Sequence, residues 1–147
     1  MVGDNAEKYP HLLQEVRSRG HRIGNHTYNH ISGFRWPSWK YLSNIHKAED
    51  ILHTGRLFRP PHGWMSTMQY RILRWTGWRV VMWDVVTRDY SRILTAQEVL
   101  DNVKRLTRNG SIITFHDSLR SIDKLKHILP DAIQWLKDEG YEFKVFD

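Results

Sequence analysis

Apolar residues recur at helical intervals in five segments of the chain, and this spacing predicts five helices. The first segment starts at Asp4, which has capping-box spacing to Glu7, and it stops at Gly20. A second capping box, formed by Thr95 and Glu98, marks the start of the fourth helix. The other predicted helices are residues 39–53, 66–76 and 122–139, and the fourth runs to 110.

Runs rich in β-branched and aromatic residues alternate with these helices, and they predict strands at 21–26, 78–86, 111–115 and 141–146. The 78–86 run is nearly continuously apolar, as expected of a strand that is buried on both faces. Residues 57–58 form a short apolar step before an irregular, proline-rich segment. Alternating helices and strands predict an α/β fold with a parallel sheet covered by helices.

A polar cluster lies at the end of each of the first three predicted strands, and another follows the apolar step at 57–58. The clusters are residues 25–30, 59–63, 84–90 and 116–118. Functional residues of parallel α/β folds gather where the strands end at their carboxyl edge. We therefore expect the four clusters to converge on one pocket.

Composition narrows the class of protein. A length of 147 residues fits one domain, residues 1–147, and the absence of cysteine excludes disulfides and thiolate sites. The net charge of +6 comes from scattered basic residues, which favours a solvated basic surface over nucleic-acid binding. No apolar run approaches the ~20 residues of a membrane span. The first residues lack the pattern of a secretory signal, so we expect a cytoplasmic protein if Met1 is the true start.

His26 and His30 are candidate metal ligands, because their separation of four residues places both imidazoles on one face of a helical turn. A third protein ligand is usual, often a carboxylate. The alternative is that both are ordinary hydrogen-bonded histidines.

Two further segments carry candidate chemistry. The prolines beside Arg59 stiffen the backbone, which can hold the His62 N–H towards a site or aim the Arg59 guanidinium at a carboxylate. The segment is equally compatible with a turn that only ends a strand. His116 follows a predicted strand, and Asp89 could orient it as a general acid or base, although a capping role is as compatible with the pattern.

Taken in order, these segments resemble the NodB-type polysaccharide deacetylase family. His26-Thr27 with His30 matches an H-[ST]-x-x-H metal motif, and residues 59–63 match R-x-P-x-G, although an aromatic usually stands at the position of His62. Residues 83–90 are similar to a D-x-x-D-W region, with Val86 and Tyr90 in place of its first Asp and its Trp. Residues 113–117 resemble the closing L-x-H motif.

The family's first motif, T-F-D-D-G, is absent, and the chain contains no Asp-Asp pair. In the family that motif supplies the catalytic base and the aspartate that joins the two histidines on the metal. The resemblance therefore implies a parallel (β/α) barrel that is incomplete at its N-terminus, with exposed edges through which copies could associate.

The resemblance implies metal-dependent hydrolytic deacetylation of N- or O-acetylated carbohydrate, with chitin and peptidoglycan as examples. His26 and His30 would bind a divalent metal, which we expect to be zinc, with an affinity weakened by the missing aspartate. The catalytic residues would be His116, Asp89 and Arg59, and the residues that contact substrate would be His62, Tyr90 and Thr114. The alternative is an inactive carbohydrate-binding remnant.

Tryptophan is abundant, with seven residues. Trp36, Trp39 and Trp64 could stack on sugar rings, although residues of this kind are more often part of a core.

Overall fold

A computed structural model describes residues 1–146, in which six α-helices and four short strands are formed. The helices are α1 (Gly3–Lys8), α2 (Pro10–Ser18), α3 (Ser38–Leu52), α4 (Thr67–Trp75), α5 (Ala96–Leu106) and α6 (Ile122–Asp138). The strands are β1 (Leu57–Phe58), β2 (Arg79–Val80), β3 (Val85–Val86) and β4 (Ile113–Thr114). These elements form two compact units, residues 1–82 with 145–146 and residues 83–144.

The first unit is built around β1 and β2, which pair in parallel with Leu57 opposite Arg79. Asn25 makes an isolated parallel bridge to Phe58 on the other side of β1. The helices cover this sheet through two apolar clusters. One contains Tyr41, Ile45, Phe58, Leu73 and Trp78, and the other contains Ala6, Leu13, Ile23, Tyr28, Ala48 and Leu52.

The second unit pairs β3 with β4, again in parallel, with Val85 opposite Ile113. Helices α5 and α6 pack together through Leu100, Val103 and Ala132. Both pairings have the direction expected of helix–strand alternation, so the parallel α/β prediction is confirmed within each unit. Closure into a barrel stays a prediction.

Two helix starts match the sequence closely. Ser66 and Gln69 form a capping box at α4, and Thr95 and Glu98 form the predicted box at α5. Each box satisfies two backbone N–H groups that a helix start leaves without partners. Helix α5 ends at Leu106, four residues before the predicted stop at Gly110.

The first predicted helix is broken in two, and its predicted capping box is wrong. Proline lacks a backbone N–H, so α1 ends before Tyr9 and a new helix starts at Pro10. Asp4 lies inside α1, where it pairs with Lys8 at 2.9 Å instead of capping the helix.

The apolar run at 78–86 is two strands, not one, and its halves belong to different pairs. Beyond β2, the Val81 N–H still donates to the Phe58 carbonyl at 2.8 Å. The Asp84 carboxylate then accepts from the Ile112 N–H at 2.7 Å and from the Ser111 hydroxyl at 3.0 Å. Asp84 was predicted to belong to the polar cluster 84–90, but it precedes β3 and lies at the opposite end of that strand from Thr87 and Asp89.

The other predicted strands are shorter than expected. Only Asn25 of residues 21–26 pairs with a strand, and β4 covers only two residues of 111–115. Residues 141–146 form no strand. The Tyr141 N–H still donates to the Leu136 carbonyl at the end of α6, and the Phe143 and Val145 side chains are exposed. None of the helices that residues 1–146 form is both long enough and apolar enough to cross a membrane.

Candidate active-site residues

The segment that carries His26 and His30 is fixed to β1 by Asn25. The Asn25 N–H donates to the Leu57 carbonyl at 2.7 Å, and the Asn25 carbonyl accepts from the Arg59 N–H at 2.9 Å. The side chain is fully buried, where it donates to the Ile45 carbonyl and accepts from the Thr27 N–H, both at 2.9 Å. A buried polar residue with these partners fixes the path of the loop.

The structure brings His26 and His30 together, with ring centroids 4.9 Å apart and an interplanar angle of 67°. The predicted helical turn is wrong, because residues 26–30 form no helix. Thr27 and His30 instead have positive φ values of 62° and 55°, which L-residues rarely adopt. Strained backbone held by surrounding hydrogen bonds is typical of functional segments.

His26 is held as a neutral imidazole. Burial lowers its pKa to about 3, and the nearby cationic groups act in the same direction. Its Nδ1–H donates to the Arg59 carbonyl at 2.6 Å, so the lone pair is on Nε2. A backbone carbonyl that fixes the tautomer in this way is a common partner of metal-binding histidines.

This lowered pKa predicts acid sensitivity of the metal-free protein. The unfolded chain takes up a proton at His26 near pH 6.5, whereas the folded chain does so only near pH 3. Stability is therefore full above pH 6.5, and about 3–5 kcal/mol is lost as the pH falls to 3. Urea unfolding of the chelator-treated protein and of His26→Gln at pH 7 and pH 5 measures the first part of this loss, about 2 kcal/mol. We expect the variant to lose less stability, and equal losses would contradict the assignment.

His62 lies next to His30, with ring centroids 4.9 Å apart. It sits in a tight turn, Pro61–Gly63, and its φ is +57°. The Arg59 guanidinium donates to the carbonyls of Val81 and Met82 at 3.3 Å and 3.2 Å. Burial lowers the pKa of Arg59. These two bonds fix Arg59 to the segment after β2.

The donors of the first unit fit a divalent cation in part. Two imidazoles, one with a fixed tautomer, are suitable nitrogen ligands. Among residues 1–146, however, no group of three or more His, Cys, Asp or Glu side chains is placed to hold a metal ion. The first unit therefore supplies a pair of ligands, in agreement with the absence of the Asp-Asp motif from the sequence.

In the second unit, Asp89 orients His116. The buried carboxylate accepts from the His116 Nδ1–H at 2.7 Å and from its backbone N–H at 2.6 Å. Burial alone would raise the pKa of Asp89, but the hydrogen bonds from His116 outweigh it and lower the pKa. Asp89 is therefore a carboxylate, and it leaves Nε2 of His116 available for proton transfer.

Tyr90 and Thr114 lie beside this pair in the chain. The Tyr90 ring meets the His116 ring edge-on, with centroids 4.8 Å apart. Thr114 belongs to β4, and its carbonyl accepts from the buried Thr87 hydroxyl at 3.0 Å. Arg88, between Thr87 and Asp89, has a positive φ of 62°. Thr87 thus joins the end of β4 to the segment that carries Asp89, a role that the sequence did not indicate.

A cavity of about 520 Å³ lies elsewhere in the first unit. It is lined by His46, Arg56, Trp75, Thr76, Gly77 and Trp78. Arg56 and Trp78 precede β1 and β2, whereas Arg59 and His62 follow β1. The cavity therefore opens at the amino ends of these strands, and it is not the candidate site.

A family model described as polysaccharide deacetylase matches residues 1–81. The chain belongs to the polysaccharide deacetylase family. The match includes the histidine pair and the Arg59 segment, so the resemblance inferred from these motifs is confirmed. It ends before Asp89 and His116.

The relatives of this deacetylase-family chain are longer than it is. A peptidoglycan-N-acetylglucosamine deacetylase of Bacillus cereus is 31% identical over 97% of this chain and 54% of the relative. Chitin deacetylase 2 of Saccharomyces cerevisiae is 31% identical over 80% and 41%, respectively. A solved peptidoglycan N-acetylglucosamine deacetylase is 29% identical with a TM-score of 0.84, over 97% of this chain and 69% of that one. The chain thus spans about half the length of these curated relatives.

Proposed function

We propose that this chain carries out metal-dependent hydrolytic deacetylation of an N- or O-acetylated carbohydrate, such as chitin or peptidoglycan. The observation that carries the proposal is the neutral His26, fixed through Nδ1 on the Arg59 carbonyl and 4.9 Å from the His30 ring. The names of the peptidoglycan and chitin deacetylases that resemble the chain support the substrate class. The two parallel strand pairs would belong to a (β/α) barrel.

His26 and His30 would bind the divalent metal, for which we propose zinc. When bound, zinc would polarise the acetyl carbonyl and lower the pKa of a water molecule. The His62 backbone N–H would stabilise the negative charge that develops on the carbonyl oxygen. The Arg59 carbonyl would keep His26 in the tautomer that binds through Nε2.

His116 would act as the general acid. Deacetylation releases a sugar amine or hydroxyl, and both are poor leaving groups unless they are protonated as the bond breaks. The Asp89 carboxylate fixes Nδ1–H, so Nε2 is the atom that would hold and transfer the proton. Tyr90 and Thr114 would line the pocket for the acetyl group, next to His116.

A second candidate function is a carbohydrate-binding remnant without turnover. Two observations favour it: the sequence has no Asp-Asp pair, and residues 1–146 contain no cluster of three metal-ligating side chains. In this case the histidines would persist without the general base, and copies of the chain could associate through exposed sheet edges.

Acetate release from N-acetylated chitotetraose distinguishes the two candidates. We expect this chain with zinc to be at least about 10²–10⁴-fold slower than a form extended upstream by a T-F-D-D-G segment, because that segment supplies the general base. Zinc-dependent release by this chain itself, however slow, would support the proposal, whereas release by the extended form alone would favour the binding remnant. No release by either form would reject it in favour of the binding remnant.

A further inference from the structure

Two exposed aromatic residues form a corner beside the histidine pair. The Phe34 and Trp64 side chains are 67% and 55% exposed, with ring centroids 6.4 Å apart and planes at 68°. The Trp64 ring also lies 6.4 Å from the His62 ring, which in turn neighbours His30. The corner is therefore continuous with the candidate metal ligands, and neither ring belongs to the core.

The backbone under this corner is unusually well fixed. The Gly33 N–H donates to the Trp64 carbonyl at 3.0 Å, and the Gln69 side-chain amide donates to the Gly33 carbonyl at 2.9 Å. The same amide accepts from the Ser66 N–H at 2.9 Å, and Gln69 is 1% exposed. A Cβ at Gly33 would lie 2.4 Å from the Gln69 Oε1 atom. The segments before Phe34 and after Trp64 are thus joined through one buried amide.

Exposed rings on a fixed backbone indicate a binding surface. A contiguous apolar patch is costly to leave in water, and rigid aromatic side chains lose little entropy when they bind a partner. Trp36 differs, because the Lys40 ammonium lies over its ring at 3.9 Å and covers one face. Trp39 is 73% exposed, but within the described residues no ring contact joins it to the corner of Phe34 and Trp64.

We propose that Phe34 and Trp64 form a sugar-stacking corner for a hexosamine unit that neighbours the acetylated unit at the histidine pair. This inference rests on the proposed function and names a subsite for its substrate. Sugar rings present C–H groups on their faces, and these pack against the electron-rich faces of aromatic rings. Two rings at a steep angle contact one sugar from two sides. A polymer reaches the histidines and the corner together, whereas a single sugar reaches only one of them.

Calorimetric titration of each protein with N-acetylated chitotetraose and with N-acetylglucosamine tests this subsite. We expect the double variant Phe34→Ala/Trp64→Ala to lose at least about tenfold in tetramer affinity, with little change for the monosaccharide. Trp75→Ala is the matched control, since Trp75 is 89% exposed and lies at the opposite ends of the strands. It should bind the tetramer as the unmodified chain does, and Trp64→Phe should retain most of the affinity.

Several results would overturn the subsite. One is equal tetramer affinity in the unmodified chain and the double variant, and another is no tetramer binding by the unmodified chain. A change in sedimentation of the double variant without a change in sugar affinity would assign the corner to contact between copies of the chain. Binding is measured without turnover. If histidine variants bind zinc and release acetate as the unmodified chain does, the proposed function is rejected, and normal dependence of tetramer affinity on Phe34 and Trp64 would still leave the subsite standing.

Discussion

Replacing His116 with alanine should lower zinc-dependent release of acetate from chitotetraose about 10²–10⁴-fold in the form extended by T-F-D-D-G. The reason is specific to the leaving group. An amine leaves readily only when it receives a proton, and the Nε2 of His116 would supply it, because Nδ1 is fixed on Asp89 at 2.7 Å. An aryl acetate releases a stable phenolate, so its hydrolysis should fall far less in the same variant.

Two further variants sharpen this experiment. Asp89→Asn keeps an acceptor for the His116 backbone N–H but removes the carboxylate that selects the tautomer, so amide hydrolysis should fall as well. His127→Ala is the matched control, because His127 is an exposed histidine of α6 in the same unit. Equal losses for the aryl and sugar substrates would show that His116 supports the structure and does not donate the proton.

The sequence predicted the elements whose signals are local. The Thr95–Glu98 box depends on residues three apart, and the structure has it as predicted. Helix α3, predicted at 39–53, forms at Ser38–Leu52, because its apolar positions repeat over four turns. The parallel pairing of β3 with β4 also followed from helix–strand alternation, which restricts connections between neighbouring strands.

Elements that depend on distant partners were less predictable. The run at 78–86 is apolar throughout, but its division is set by Asp84 bonding to Ser111 and Ile112, which lie 27 and 28 residues further along the chain. Residues 141–146 alternate like a strand, yet Phe143 and Val145 are exposed. Periodicity describes which faces could be buried, and it does not show whether a partner strand exists.

The residues of the candidate site also divide into those with a local signal in the sequence and those that depend on distant partners. His26, His30, His62, Asp89 and His116 were identified because their residue types carry chemistry at strand ends. Asn25 was part of the predicted cluster 25–30, but its role in holding the loop was missed, as was that of Gln69, because only the structure shows that both amides are buried and hydrogen-bonded. Positive φ values at Thr27 and Arg88 were missed for the same reason. A non-glycine residue in this conformation leaves no local signal.

Replacing His30 with alanine should lower zinc affinity at least about 100-fold, because a direct ligand is lost. Loss of a residue that only hydrogen-bonds a metal ligand typically costs about 10–100-fold. His30 is exposed, so the variant should fold normally. The same loss is expected for His26→Ala, whose Nε2 is the paired donor. Calorimetric titration of the chelator-treated proteins with zinc measures both. His21→Ala, at another exposed histidine, is the control and should bind as the unmodified chain does.

His62→Phe decides whether the pair or a triad binds the metal. Its ring lies 4.9 Å from His30, but residues 1–146 contain no group of three ligands placed around one ion. Zinc affinity should therefore change little when an aromatic residue replaces His62. A loss as large as that of His30→Ala would instead show that the His62 ring moves to become a third ligand. The three histidines together would then compensate in part for the carboxylate that the Asp-Asp motif supplies in the family.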